Sequence, residues 1–298
     1  MSLLVPPSAP PPRYHALTVS GVRHPVPGSA VLTLEVPDSL RSTYLRFRAG
    51  QYVTLRVVLK GEEVRQSYSI YVSPAQALAT HTLQIAASEV PGGRMSPWLV
   101  REVRVGDVIE VLPPMGDFVL ADHSGVGERH VAIAGGSGVT PVMSVVTDLL
   151  ERDARHRVTV VLSHRDPLSA IGLADLRDLQ SRYPRELTVR PIWTRVAPTG
   201  ESVAGRLTRE RLAELLGVDR VTGAFAGGGE IDVASEDGED SPVPGSGGGQ
   251  GALASAADHW WVCGPAGLVT AVEGWLRSDG VEPASLHTEV FTSAAEPT

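Results

Sequence analysis

The stretch that most constrains this chain is Val131-Ala132-Ile133-Ala134-Gly135-Gly136-Ser137-Gly138-Val139-Thr140-Pro141. An apolar run of strand length stops abruptly at glycines. Thr140-Pro141 then opens Val142 to Leu150, which reads as an amphipathic helix, with Thr140 as its N-cap and Pro141 in its first turn. The pattern predicts strand, glycine turn, helix. Glycines let a backbone come close to a phosphate, and a helix start offers free N–H groups and a positive dipole end. The spacing is not the G-x-G-x-x-G of the dinucleotide fingerprint. Two readings stand at this point: a cradle for a nucleotide diphosphate, or an ordinary tight turn between strand and helix.

The texture differs on either side of this stretch. Residues 1–12 are rich in proline and are expected to form a disordered or extended arm. From residue 13 to about 124, short β-like runs recur between Gly, Pro and Ser: Ala30 to Val36, Tyr52 to Leu59, Thr82 to Ala87. These predict a small antiparallel barrel or sandwich, interrupted by one helix from Met95 to Val100. From 128 to 293 the pattern alternates. Strands are expected at Val158 to Ser163, Leu187 to Trp193 and His259 to Cys263, and helices at Ala174 to Tyr183, Leu207 to Leu216 and Ala266 to Arg277. Alternation of this kind predicts a parallel α/β sheet that binds ligands at the carboxyl ends of its strands. Residues 223–257, with Gly runs around Glu236 to Asp240, break the pattern and read as a disordered surface insertion. It is a tolerated loop or an acidic contact for a basic partner.

Composition excludes several functions. The 298 residues suffice for about two domains, with 42% hydrophobic and 20% charged residues. A net charge of −8 argues against nonspecific nucleic-acid binding. Cys263 is the only cysteine, so no internal disulfide and no thiolate metal cluster is possible. The nine histidines show no metal-ligand spacing, and no metal site is expected. No signal peptide or membrane-crossing run is evident, which makes a soluble cytoplasmic protein with no membrane partner the default expectation.

Four local patterns need a common explanation: Arg65-Gln66-Ser67-Tyr68-Ser69-Ile70, Gly92-Gly93-Arg94-Met95-Ser96, the 131–141 stretch, and Cys263-Gly264-Pro265 at a strand end. In the first, alternation puts Ser67 and Ser69 on one face and Gln66, Tyr68 and Ile70 on the other. The second is a glycine turn opening a helix, hence another candidate anion cradle. With Gly50-Gln51-Tyr52 before them and Glu289-Val290-Phe291 after them, their order resembles the ferredoxin–NADP reductase superfamily of flavoproteins. The branch it resembles is the reductase components of multicomponent oxygenases, such as those of phenylacetyl-CoA epoxidation and steroid hydroxylation. The resemblance covers about residues 13 to 293 apart from the insertion.

The resemblance implies a Greek-key FAD-binding β-barrel at 13–124 and a parallel NAD(P)-binding α/β domain at 128–293. Tyr68 would stack on the flavin, with Ser69 near its N5 and Gln66, Ser67 and Ile70 on the same strand. Arg65 and the turn Gly93, Arg94, Met95, Ser96 would hold the FAD pyrophosphate. Gly135, Gly136, Ser137, Gly138, Val139, Thr140 and Pro141 would cradle the pyridine nucleotide's pyrophosphate. Cys263, Gly264 and Pro265 would lie beside the nicotinamide, and Glu289 and Phe291 would close the far side of the flavin. Ser69, Cys263 and Glu289 are the polar neighbours expected at the reacting atoms, where the protein mainly supplies positioning. Ser163, His164 and Arg165 fall where the family binds the adenosine ribose. A guanidinium there suits a 2′-phosphate, a slight lean to NADPH.

The sequence departs from the family pattern twice. R-x-Y-S wants arginine where Gln66 stands, and Arg65 would point to the opposite face unless the strand bulges. Many relatives also carry a plant-type [2Fe–2S] domain, which one cysteine cannot build. Either a separate ferredoxin or an oxygenase iron–sulfur component accepts the electrons, or the chain is part of a larger protein. A reductase with another acceptor (free flavin, ferric chelate, haem partner) and a degenerate nucleotide-binding regulator remain alternatives.

Overall fold

The computed structural model describes residues 12–119, 125–196, 203–218, 251 and 253–291. The first half contains strands β1 (His15–Arg23), β2 (Ser29–Glu35), β3 (Tyr52–Leu59), β4 (Glu62–Ser69), β5 (Thr82–Ser88) and β6 (Val108–Val111), with helices α1 (Arg41–Tyr44), α2 (Pro74–Thr80) and α3 (Met95–Arg101). The second half runs β7 (Arg129–Gly135), α4 (Val139–Arg152), β8 (Arg157–His164), α5 (Leu173–Arg182), β9 (Leu187–Trp193), β10 (Val203–Ala204), α6 (Arg209–Leu215), β11 (His259–Gly264), α7 (Ala266–Ser278) and β12 (Leu286–Val290).

The first six strands form one antiparallel sheet in the order β4-β3-β6-β1-β2-β5. Strand β6 inserts between β1 and β3, a Greek-key path. An Ile70–Ile85 bridge and the Tyr71 N–H to Gln84 O bond join the two ends into a barrel. Alternation drives this. In β3, Val53 and Leu55 point into the barrel and are fully buried, whereas Thr54 and Arg56 face outward. Three helices interrupt the barrel rather than one. The unforeseen α2 has a plain cause: Ser73 caps it by accepting from the Gln76 N–H, and Pro74 fills its first position.

The remaining strands form a parallel sheet in the order β10-β9-β8-β7-β11-β12. From β7 the chain first winds outward through β8 to β9, then crosses back to place β11 on the other side of β7. The strand order therefore reverses between β7 and β11, where the ends at Gly135 and Gly264 lie together. Between them, Gly138 packs against backbone: a Cβ there would stand 2.3 Å from the Cys263 carbonyl oxygen.

Helix α4 lies under both halves. Its residues Val139 to Leu150 are all buried. They join Val31, Ala49, Tyr71, Ala86 and Phe118 of the barrel to the sheet residues Ala132, Val160 and Trp261 in one continuous core. Polar bonds cross the same seam. The Ser144 hydroxyl donates to Val72 O (2.7 Å), the Tyr71 hydroxyl to Asp175 (2.7 Å), and Arg23 pairs with Asp175 (2.8 Å).

The structure revises three expectations. A 3₁₀ turn at Gly136–Gly138 leads into α4, so the helix begins at Val139, and Thr140 is not its cap: its hydroxyl donates back to Ser137 O. The end of the expected disordered insertion is packed. Gly251 donates to Asp279 O, and Leu253, Ala256 and Ala257 are buried in the core beneath α7. The rest of that insertion, and the proline-rich arm except Pro12, lie outside the described residues. Finally, β12 forms a parallel edge strand that alternation had not revealed, with Glu289 in register with Cys263. Among the described residues no helix is long and apolar enough to cross a membrane.

Gly138→Ala should destabilise the protein by roughly 2–3 kcal/mol, since backbone on both sides of the new methyl must move. Gly136 has φ +56 with open space around it, so Gly136→Ala should cost only about 1 kcal/mol of backbone strain. Chemical denaturation of the two variants checks the order, and equal midpoints would refute the packing account.

Candidate active site

A groove of about 740 Å³ runs between the barrel and the parallel sheet. On the barrel side it is lined by Tyr52, Tyr68 and Ser69, by the end of β5 (Ala86 to Ser88), and by the turn from Gly92 to Ser96. The sheet side supplies Gly135, Gly136, Ser137, Thr140, Pro265, Glu289 and Phe291. The fold brings these together because β4 ends where β7, β11 and β12 end.

Each wall has a local cause. Tyr68 is paired with Val53 on the core-facing side of the β3–β4 hairpin, and its ring packs against the barrel core while lining the groove. Burial pushes its phenol pKa up, so it stays neutral. Ser69, the next residue, is buried at the strand end. The turn into α3 is closed by Ser96, whose hydroxyl accepts from the Val90 N–H (3.1 Å). No side chain caps the Gly135–Gly138 turn or the start of α4, and Gly135, Gly136, Ser137 and Thr140 line the groove there.

The register of β3 and β4 runs unbroken from Tyr52–Ser69 to Leu59–Glu62. No bulge rescues Arg65. It pairs with Glu63 (2.6 Å) beside the Tyr14 ring, at the rim of the groove, and does not join the 93–96 turn as expected from sequence. Gln66 occupies the Tyr68 face and is exposed. Arg94, which lines the groove from the turn, reaches to the tip of the β3–β4 hairpin, pairing with Glu62 (2.7 Å) and donating to Leu59 O (3.3 Å).

Other sequence-predicted residues fall behind the groove wall. Ile70 is fully buried in the barrel core, whereas Met95 packs on that core and also lines the groove. Val139 and Pro141 face the interdomain core, and Gly138 is packed on Cys263. Cys263 itself is completely buried rather than open to the groove. Its Sγ lies 3.9 Å from Glu289 Oε2, and burial first, then Glu289, raise its thiol pKa. Glu289 carries the pair's contact with the groove, and burial lifts its carboxyl to about 7. Phe291 is held by its N–H bond to Gly264 O (2.9 Å) and closes the end. At the carboxyl end of β8, Ser163 is half-buried, Arg165 is exposed, and His164 is buried and held neutral, its pKa lowered to about 4 by burial. The Arg195 N–H bond to Arg165 O (2.9 Å) places a second arginine beside the first, which sequence reasoning missed. The small residues Ala86 to Ser88 were also missed; as strand residues without bulk they leave the groove open, and nothing in their pattern marks a site.

The arrangement suits a dinucleotide. It offers an aromatic face at Tyr68, a guanidinium at Arg94, a glycine turn ahead of α4 and a volume in the range of cofactor pockets.

Residues 27–120 match the model of the oxidoreductase FAD-binding domain, and residues 132–233 that of the oxidoreductase NAD-binding domain. The chain is 26% identical over 280 residues to one subunit of the 1,2-phenylacetyl-CoA epoxidase of Escherichia coli (strain K12), covering 94% of this chain and 68% of that one. It is 30% identical to the aromatic O-demethylase reductase subunit of Amycolatopsis sp. (strain ATCC 39116 / 75iv2), covering 92% of this chain and 72% of that one. A ferredoxin NADP+ reductase from Neisseria gonorrhoeae, solved with bound FAD and NADP, shares the fold at a TM-score of 0.66 and 18% identity over 93% of this chain and 98% of that one. Against four curated oxygenase-reductase relatives the chain spans 68%, 65%, 56% and 61% of their length. Barrel, switch-point cradle and both domain matches place this chain in the ferredoxin–NADP reductase superfamily, as an NAD(P)H-dependent flavoprotein reductase.

Proposed function

We propose that this reductase passes electrons from NAD(P)H, through FAD held in the interdomain groove, to the iron–sulfur component of an oxygenase. One observation carries the reading: a single groove is walled by Tyr68, Ser69 and the 93–96 turn of the barrel and by the Gly135–Ser137 turn, Glu289 and Phe291 of the parallel sheet. Bound FAD supplies the chemistry, accepting a hydride and releasing electrons singly. The chain supplies position. Tyr68 offers its ring to the flavin, Ser69 a hydroxyl near the reacting nitrogen, and Arg94 takes the pyrophosphate charge, with Arg65 held by Glu63 at the rim. The Gly135–Ser137 turn receives the nucleotide's pyrophosphate at the start of α4. Pro265 and the buried Cys263–Glu289 pair back the nicotinamide. Two relatives, a subunit of 1,2-phenylacetyl-CoA epoxidase and an aromatic O-demethylase reductase subunit, support this acceptor. Arg165 with neighbouring Arg195 favours a 2′-phosphate, hence NADPH.

A carboxylate beside the nicotinamide stabilises the positive charge that grows there as hydride leaves. With Glu289 ionising at about 7, flavin reduction should speed up as pH rises from 6 to 8. Glu289→Gln should flatten that profile and slow reduction about 10-fold at pH 8, read by stopped flow. The same raised carboxyl makes the folded protein bind more protons than the unfolded chain between about 4.5 and 7. Its contribution to stability is therefore lost as pH rises through 7, and Glu289→Gln should be the more stable protein at pH 8.

Arg94→Ala should weaken FAD binding about 10-fold or more, and Gln66→Arg should tighten it and rescue Arg94→Ala. Titration of apoprotein with FAD measures both. A wild type that ignores FAD while Gln66→Arg binds it would favour the degenerate regulator instead. Arg165→Ala should raise the KM for NADPH about 10-fold and leave that for NADH unchanged. Equal loss with both nucleotides would remove the lean to NADPH. A screen of purified ferredoxins, free flavin and ferric chelate identifies the acceptor; fastest turnover with ferric chelate would exclude the oxygenase assignment.

A further inference from the structure

The histidines show no ligand spacing along the chain, yet four of them gather at the amino edge of the parallel sheet, away from the groove. His130 is the second residue of β7 and pairs in register with His259, the first residue of β11. His156 immediately precedes β8, and His287 lies in β12 beside Trp261. Glu128 leans over them from the segment that enters β7. The register step from His130 to Ala134, opposite Cys263, is four residues, so this cluster sits about 13 Å from the strand ends that line the groove.

The cluster is buried and short of partners. His130 and His156 are almost completely covered. Glu128 Oε2, His130 Nε2, His156 Nδ1, His259 Nδ1 and His287 Nε2 are all buried atoms without a hydrogen-bond partner. Native proteins rarely leave even one such atom without a reason. Ring contacts do not fill the gap: the His130 ring stacks on His259 (5.3 Å) and meets His156 edge-on (5.1 Å), and neither contact satisfies these polar atoms.

The separations fit a different filler. One ligand atom each from Glu128, His130 and His156 lie within 4.8 Å of one another. Glu128 Oε2 stands 3.7 Å from His130 Nε2 and 3.6 Å from His259 Nε2. Ligand atoms around a tetrahedral zinc ion stand about 3.3 Å apart, so small side-chain rotations close the set. The other carboxylate oxygen, Oε1, accepts from the Gly125 N–H (2.6 Å), which holds Oε2 facing the imidazoles. The Glu128 and His259 side chains are about one-fifth exposed, which provides an entry path.

We propose that Glu128, His130 and His156 bind a divalent transition-metal ion of the zinc class, with His259 beside them. Two imidazoles and one carboxylate suit a borderline ion rather than calcium or magnesium. The site lies away from the groove, so the role is structural: the ion ties the segment entering β7 to the start of β8. One rearrangement accompanies binding. His130 Nδ1 now accepts a long hydrogen bond from the Trp261 indole N–H (3.4 Å). Coordination through Nε2 moves the ring proton to Nδ1, and the indole loses its acceptor. One long hydrogen bond is exchanged for a full set of metal–ligand bonds, and Trp261 becomes an optical reporter of the exchange.

The test uses tag-free, FAD-loaded full chain stripped with a chelator and then titrated with zinc in a calorimeter. One equivalent should bind, tryptophan fluorescence should shift with the same midpoint, and cobalt should give the intense visible bands of a tetrahedral site. Glu128→Gln, which keeps an acceptor for Gly125, and His156→Gln should each weaken zinc binding about 100-fold while flavin reduction by NAD(P)H stays unchanged. Should His156→Gln fail to fold, the partly exposed Glu128→Gln decides alone. Absence of stoichiometric zinc uptake by the wild type, or wild-type affinity in Glu128→Gln, overturns the proposal.

Discussion

Everything in the groove depends on the burial of α4 from both sides. A helix packed against only one sheet would show a polar stripe to water. Here Val139 to Leu150 present no exposed face at all, because the parallel sheet covers one side and the barrel the other. At about 25 cal/mol per Å² of apolar surface, a seam of this kind outweighs the few polar bonds that cross it. Those bonds then fix the angle. Ser144 reaches the backbone at Val72, and Asp175 accepts from Tyr71 and pairs with Arg23. The same helix whose side chains weld the halves together offers its uncapped start to the groove. Packing and binding are thus set by one element.

Hydride transfer is sensitive to distance, and the seam addresses that demand directly. Tyr68 and Ser69 are the last two residues of a strand whose inner face, Tyr68 included, packs on the barrel core. Glu289 stands on an edge strand locked by five register pairs to β11. Neither wall rests on a free loop. The turn at Gly135–Gly138 is held as firmly, since Gly138 lies against the backbone of Cys263 with no room for a methyl group. Glycine there serves contact between two chain segments as much as approach to a phosphate.

Much of this was legible in the sequence where a single period dominates. Leu187–Trp193 and Tyr52–Leu59 match their expected bounds because alternation of buried and outward positions runs through the greater part of each. The order of six short motifs carried the family. What escaped was whatever depends on register between distant segments. Cys263 has the right neighbours in sequence yet is sealed behind Glu289, since strand parity turns it into the core. Thr140 looked like a cap because a 3₁₀ turn ahead of the helix leaves no mark in side-chain chemistry. Arg65 was placed correctly on the outer face by parity alone, and the unbroken ladder bears that out. The histidine cluster was invisible, because its members come from three strands and one turn, far apart along the chain.

The packed turn at residues 253–257 ties two distant parts of the chain together. Arg129 donates to Ser255 O and the Leu253 N–H to the Asp279 carboxylate, while Leu253, Ala256 and Ala257 pack in the core with α7. Strand β11 therefore enters the sheet from a fixed point, and changes in chain length ahead of residue 253 need not shift its register.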